Sequence, residues 1–226
     1  MFRCSFLAAV GLLLSASALT AQTPNAAPAP VASETAVQET MEDLQVGDHW
    51  TYELRDDVSG DVKSTLTNTV TDVSPSQINI RLGKLGTSNT GYQTYDHSWN
   101  LMDNGSWHNR PNDGTGIQLP LAVGKTWSFK STDLNNTAGV SWKRSGTSKV
   151  VAQESVTTPA GTFDTFKIET SIQVQNTNDP TKKIQTVQQS WYAPSIDHWV
   201  KRSSVSRSAT RVIDKNTTEL VEYGRR

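Results

Sequence analysis

One motif occurs twice in this chain and constrains its fold more than any other feature. The pattern Leu-x-Val-Gly-x-x-Trp, then Ser or Thr, then an aromatic residue, occupies residues 44–52 and again 121–129. A second echo links Gln-Thr-x-x-x-Ser-Trp at 93–99 with the same pattern at 185–191. Six of the seven tryptophans therefore form three pairs, Trp50 with Trp127, Trp99 with Trp191, and Trp107 with Trp199. We interpret these echoes as an internal duplication, with repeat one at about 44–116 and repeat two at about 117–226.

The hydrophobic pattern has the period of β-strands throughout both repeats. Trp50, Tyr52 and Leu54 alternate with polar residues near the start, and residues 166–174 give the longest alternating run. Such alternation indicates strands with one buried face. We therefore predict an all-β domain of about ten antiparallel strands, built from two tandem meanders that share one core. The expected form is one curved sheet, a sandwich or a half-barrel.

The first residues predict export from the cytoplasm. A basic start and a Leu- and Ala-rich run lead to small residues, which identifies residues 1–21 as a cleaved signal peptide. The apolar run is shorter than the ~20 residues that span a bilayer, so no transmembrane segment is predicted. Cys4 precedes that run, whereas a lipid-bearing cysteine would follow it, so the chain is not expected to be a lipoprotein. We predict a periplasmic or secreted protein.

Composition defines the folded part and excludes several classes of partner. Residues 22–43 are rich in alanine and proline and predict a disordered linker, which leaves 44–226 as a single β domain. The sequence has one cysteine, so the mature chain has neither disulfides nor thiolate chemistry. A formal net charge of −1 gives no reason to expect nucleic acid as a partner. No cofactor is predicted.

Several short motifs resemble a known family. Leu-x-Val-Gly-Lys-x-Trp at 121–127, Thr-x-Pro-Ala-Gly-Thr-Phe with Phe-Lys-Ile in 157–168, and Trp-Tyr-Ala-Pro at 191–194 are similar to motifs of the TapB-like domain family of exported bacterial proteins. The resemblance covers about 44–223 and is clearest over 121–202. It implies a curved antiparallel β domain and export. It implies no catalytic residues.

The paired aromatic residues allow two interpretations. They are the large core residues of a duplicated meander, or they form an aromatic surface that grips a sugar or an acyl chain. His97 lies between Tyr95 and Trp99 on a predicted inward face, and Gln189 holds the matching place before Trp191. Polar groups inside an apolar wall orient ligands in many pockets. The predicted ligand-binding set is therefore His97, Trp99, Gln189, Trp191 and Tyr95, and a buried polar pair is the alternative.

No arrangement typical of catalysis or metal binding is found. The four histidines lack the close spacing of zinc ligands, so no metal site is predicted. Asp48-His49 and Asp197-His198 are adjacent pairs whose side chains point to opposite faces of a strand, and no Gly-x-Ser-x-Gly occurs. Basic residues near the C-terminus, Arg202 and Arg207 among them, suggest a solvated sheet edge or a site for an acidic polymer.

Three functions remain open on the sequence alone. The first is a non-catalytic exported β domain that binds an apolar or amphipathic envelope ligand or an envelope protein. The second is a purely structural interaction module, and the third is a hydrolase of envelope polysaccharide or ester. A lipid, a glycan or an envelope protein is the expected partner. The oligomeric state is left open.

Overall fold

The computed structural model describes residues 40–41, 43–88 and 90–225. Twelve strands and one short 3-10 turn, Pro194–Ile196, form within this part of the chain. The strands are β1 His49–Asp56, β2 Val62–Val73, β3 Ile78–Lys84, β4 Thr90–Tyr95, β5 Leu101–Asp103, β6 His108–Arg110, β7 Thr126–Asn135, β8 Val140–Thr158, β9 Gly161–Asn176, β10 Lys183–Ala193, β11 His198–Ser208 and β12 Arg211–Gly224.

The sheet is a closed barrel, and the predicted open sheet, sandwich or half-barrel is wrong. Each strand pairs antiparallel with the next along the chain, and β1 also pairs with β12. Trp50 lies opposite Tyr223, and Tyr52 lies opposite Leu220 in that final pairing. Closure stabilises the sheet because it leaves neither the first nor the last strand with unpaired backbone groups. An alternating sequence is the same in a half-barrel and a barrel, so closure could not be seen in it.

Three turns of the barrel are set by residues close together in the sequence. The Asn104-Gly105 pair turns β5 into β6, and Gly105 has a positive φ of 82°, which Asn-Gly turns favour. β9 and β10 also form a hairpin, with Ile168 opposite Ser190. The predicted inward face shared by Tyr95, His97 and Trp99 does not form, because the segment between β4 and β5 is a turn.

The repeated motif builds the same backbone turn twice. The Gly47 N–H donates to the Val70 carbonyl at 2.9 Å, and the Gly124 N–H donates to the Val150 carbonyl at 2.8 Å. Both glycines have positive φ, 98° and 92°, which a residue with a Cβ adopts only with strain. Each turn fixes the start of a strand, β1 or β7, against β2 or β8. The tryptophan three residues later is buried in both cases.

The other tryptophan pairs do not share a backbone conformation. Trp99 lies in the turn after β4 with φ of 60°, whereas Trp191 lies within β10. The left-handed residue in the corresponding turn after β10 is Asp197, with φ of 44°. Trp107 likewise precedes β6, whereas Trp199 is the second residue of β11.

One end of the barrel is filled by side chains, and we call it the closed end. The connections β2–β3, β4–β5, β8–β9 and β10–β11 meet there, because neighbouring strands alternate in direction. An aromatic plug, defined as Trp50, Tyr52, Trp99, His198 and Trp199, fills this end, and each member is at most 8% exposed. Met41, within the residues predicted as linker, is also fully buried, and its N–H donates to the Ser195 carbonyl.

The opposite end, which we call the open end, is lined by half-buried side chains. The inward-facing residues of this half include Leu54, Leu66, Leu82, Thr186, Ser204 and Asn216, and none of these six is fully buried. A barrel of this strand number is wider than the eight-stranded barrels that side chains alone can fill. The difference between the two ends places any internal site at the open end.

Two predictions fall largely outside the described residues. The signal peptide, 1–21, lies wholly outside them, as does the linker, 22–43, except for residues 40, 41 and 43. Within the described part of the chain, no helix is long and apolar enough to cross a membrane.

Candidate functional site

Three of the five residues predicted to bind a ligand lie near the closed end. Trp99 is buried and stacks on His198 with ring centroids 4.4 Å apart. Tyr95 meets the edge of Trp99, and its hydroxyl donates to Gln93 Oε1 at 2.7 Å. His97 is exposed, and its Nε2 lies 2.7 Å from the Ser74 carbonyl oxygen. Trp99 and Tyr95 are therefore core residues, and His97 supports a turn.

The other two predicted residues lie on β10, where Gln189 is half-buried and Trp191 is buried, 8% exposed, in the same hydrophobic cluster as Trp50 and Trp99. The Gln189 side-chain amide donates to Glu169 Oε1 at 2.8 Å. The Trp191 indole donates to Glu154 Oε1 at 2.5 Å, and Lys167 Nζ lies 4.8 Å from its ring centroid. These contacts are with β8 and β9, Lys201 of β11 also lies 5.8 Å from the Trp191 ring centroid, and none of the contacts is with His97. The structure therefore does not bring the five residues into one cavity.

His198 is the ionisable group at the centre of the aromatic plug. Its ring lies 4.4 Å from both Trp50 and Trp99 and 3.7 Å from Trp199, measured between centroids. Burial, and then the positive charge of Arg202, lower the pKa of His198 well below its ordinary value of 6.5. Nδ1 accepts the Trp199 N–H at 3.1 Å, which also requires the neutral ring. The plug is therefore built around an uncharged histidine.

We expect the stability of the domain to decrease as pH is lowered from 7 to 5. The folded chain keeps His198 neutral, whereas the unfolded chain takes up a proton below pH about 6.5. Because the unfolded state then binds more protons, the free energy of unfolding falls with pH, by up to about 2 kcal/mol at pH 5. Urea unfolding of the wild type and His198→Phe at both pH values measures this.

Comparing the wild type with His198→Phe separates the contribution of His198 to the pH dependence of stability from that of other titrating groups. Burial raises the pKa of Asp113 and of Asp197, so both carboxyls act in the opposite sense, but both proteins contain them. The loss on acidification should be smaller in His198→Phe, whatever its absolute stability. Equal losses in both proteins would show that His198 is not the group responsible.

A cavity of about 360 Å³ lies inside the barrel at the open end. Its walls come from β5 through β10 and from the β5–β6 turn. The apolar side chains are Leu101, Trp107, Trp142, Val174 and Ile184, and the polar ones are Asn104, Asn109, Asp133 and Arg144. Trp142 and Val174 are half-buried, so their faces remain available to a ligand. An apolar wall with a few placed polar groups is typical of small-molecule pockets.

The polar part of the cavity is organised by one ion pair. Arg144 donates from Nε to Asp133 Oδ2 at 2.9 Å, and its Nη2 lies 2.8 Å from the same oxygen. The Asp133 side chain is only 6% exposed and also accepts from the Ser131 hydroxyl. The carboxylate is thus satisfied within the protein. Arg144 is 22% exposed, so it is the member of the pair that a ligand can reach.

One feature of the sequence points to this cavity, although the sequence analysis considered only the paired tryptophans. Trp142 is the one tryptophan without a counterpart in the other repeat. A tryptophan that is not part of the repeated core pattern is a candidate for a role other than core packing. Arg144 and Asp133 lie on neighbouring strands in a register that the sequence did not specify, so their pairing could not be predicted.

Metal ligands are not clustered in the described part of the chain. No three His, Cys, Asp or Glu residues there lie close enough to hold an ion. The closest contact between a histidine and a carboxylate joins His108 to Asp103 in the β5–β6 hairpin. These two residues are partly exposed and pair with each other.

Comparisons with known proteins support the fold and name no activity. A DUF3108-like family model matches residues 128–208. This match covers a part of the region that resembles the TapB-like family, but it does not confirm the TapB-like name. No curated protein sequence matches the chain.

Solved structures of similar fold come from bacterial proteins. A candidate lipoprotein from Parabacteroides distasonis aligns with a TM-score of 0.53 and 15% identity, over 83% of this chain and 100% of that one. A candidate exported protein with a YmcC-like fold from Bacteroides fragilis aligns with a TM-score of 0.51, with the same identity and coverage. The hypothetical lipoprotein YmcC from Escherichia coli aligns with a TM-score of 0.48 and 8% identity, over 77% and 83%. At these identities the first two alignments establish a shared fold.

Proposed function

We propose that this protein binds an apolar or amphipathic molecule of the bacterial envelope in the open-end cavity, without catalysing a reaction on it. The observation that carries the proposal is the wall of Trp107, Trp142, Val174 and Ile184 beside the Arg144–Asp133 ion pair. The volume of about 360 Å³ lies within the range of small-molecule pockets, about 300–1,000 Å³.

The chemistry of the walls favours a ligand with an apolar body and a small polar end. Indole and aliphatic side chains exclude water from an acyl chain or a ring system. Arg144 keeps donors that its pairing with Asp133 does not use, because a guanidinium has five N–H groups. An acidic or carbonyl group on the ligand can accept from these donors while its apolar part lies on Trp142.

An envelope location is part of the proposal. The predicted signal peptide at 1–21 supports export. Proteins described as a lipoprotein and as an exported protein share the fold, although their identity to this chain is 15%. A lipid or a lipid-like molecule is then the partner that the apolar wall fits best.

Filling the cavity is expected to abolish binding. Val174→Trp places an indole against Trp142 and Ile184, whereas Val187→Trp makes the same change on the outer face of β10, where Val187 is 47% exposed. The apolar fluorophore N-phenyl-1-naphthylamine should brighten with the wild type and with Val187→Trp, but not with Val174→Trp. Native mass spectrometry of protein purified from envelopes should show a bound molecule with the same dependence on the variants.

The controls separate binding from folding. Both variants must give the wild-type circular dichroism spectrum and a cooperative urea transition. If Val174→Trp binds the probe as well as the wild type does, the cavity is not the binding site. The absence of probe binding and of any copurified molecule in the wild type would favour a purely structural module.

A further inference from the structure

The outer face of the barrel carries a groove whose outward-facing side chains do not line the cavity. It has a volume of about 500 Å³ and extends across the strands from β6 to β10. The strand register aligns its side chains in two rows across the sheet. The first row is Arg110, Thr132, Lys143, Gln175 and Lys183, and the second is Lys130, Ser145, Gln173 and Gln185. Alternation along each strand places these rows opposite the inward-facing Arg144 and Val174.

The groove is strongly basic in a chain whose net charge is −1. Its outward-facing residues include four cations, Arg110, Lys130, Lys143 and Lys183, and the lining contains no aspartate or glutamate. All four are exposed, and none forms an ion pair with any described residue. Like charges collected in a concave surface attract anions more strongly than the same charges spread over a convex one. The arrangement therefore points to an anionic ligand.

The spacing of the cations favours a polymer over a single small anion. Arg110, Lys143 and Lys183 lie on alternate strands, β6, β8 and β10, so neighbours in the row are about 10 Å apart. One phosphate cannot contact charges at that distance. A linear chain with acidic groups at intervals can follow the row, and the glutamine, serine and threonine side chains between the cations can bind its hydroxyl groups.

Two other polyanions fit the groove less well. The lining contains no aromatic residue, whereas sites for single-stranded nucleic acids depend on base stacking against aromatic rings. A lipid bilayer is planar and cannot reach the floor of a concave groove, and none of the outward-facing side chains is a large apolar anchor. An acidic polysaccharide needs neither aromatic rings for stacking nor a flat surface with apolar anchors.

We infer that this groove binds an extended acidic polysaccharide, such as a uronic acid polymer, through Arg110, Lys130, Lys143 and Lys183. The site lies on the outer face and is independent of the proposed cavity function. Attraction between fixed charges weakens as salt screens them, so binding should decrease with ionic strength.

The test is calorimetric titration with a sized oligogalacturonate at low and at raised salt. Lys143→Glu/Lys183→Glu reverses two groove charges, and Arg81→Glu/Lys215→Glu reverses two exposed charges on the outer faces of β3 and β12 as a matched control. The groove variant should bind at least about tenfold more weakly, and the control should bind within about twofold of the wild type. The methyl-esterified oligomer, which keeps its hydroxyls and loses its charge, should not bind. Trp142→Ala, which changes a cavity wall residue outside the groove lining, should bind as the wild type does.

Several results would overturn the inference. They are an absence of oligogalacturonate binding by the wild type, equal weakening in the groove and control variants, or binding of the methyl ester. Tighter groove-dependent binding of a single-stranded oligonucleotide or of anionic phospholipid vesicles would reassign the groove and reject the polysaccharide. Because the mutated lysines are exposed, unchanged circular dichroism and thermal unfolding are expected, and they confirm that the loss is local.

Discussion

Trp50→Ala is expected to lower the free energy of unfolding by about 3–5 kcal/mol, the usual cost of deleting a buried aromatic side chain. Trp50 is fully buried, and its ring meets the edges of Trp99 and His198. The loss is a large share of the about 5–15 kcal/mol that stabilises a typical domain. Urea unfolding followed by circular dichroism measures it. A variant that does not fold agrees with the upper part of this range.

Two further variants make the prediction specific to packing. The indole N–H of Trp50 has no hydrogen-bond partner among the described residues, so Trp50→Phe removes volume but no hydrogen bond and should cost much less. Trp142→Ala removes a half-buried ring from the cavity wall and should also cost less than Trp50→Ala. Equal losses for Trp50→Ala and Trp142→Ala would contradict the division of the barrel into a closed and an open end.

Arg144→Met is expected to lower the free energy of unfolding by about 3 kcal/mol, because it leaves the Asp133 carboxylate buried without its partner. The figure is at the low end for buried pairs because the Arg144 side chain is 22% exposed. Methionine keeps most of the side-chain volume, so little of the loss arises from packing. The measurement is urea unfolding at neutral pH.

A double variant and a surface pair test the cause of that loss. Asp133→Asn/Arg144→Met removes both charges and should recover at least half of the stability that Arg144→Met loses. Lys201→Met breaks the Lys201–Glu219 pair, whose atoms are 2.6 Å apart but whose side chains are 32% and 36% exposed, and should cost less than about 1 kcal/mol. If the double variant is no more stable than Arg144→Met, the unpaired carboxylate is not the cause.

The candidate site was less accessible to sequence reasoning than the fold class. Alternation in the sequence predicts one continuous strand with His97 and Trp99 on its inward face. The backbone instead turns after Tyr95, so Trp99 enters the plug and His97 reaches the surface. Arg202 is a second example, because the sequence predicts it to be one of several solvated basic residues. In the barrel its guanidinium lies 3.9 Å from the Trp199 ring, and its Nε donates to Ser190.

The sequence by itself determined that this chain is antiparallel β and where its main turns fall. Alternation, the Asn104-Gly105 pair and the glycines at 47 and 124 act over a few neighbouring residues, so they are visible in the order of amino acids. Only the tertiary structure decided that β12 returns to β1. It also decided that Arg144 meets Asp133 and that Arg110, Lys143 and Lys183 form one row. These contacts depend on closure and on register between strands, which no local pattern specifies.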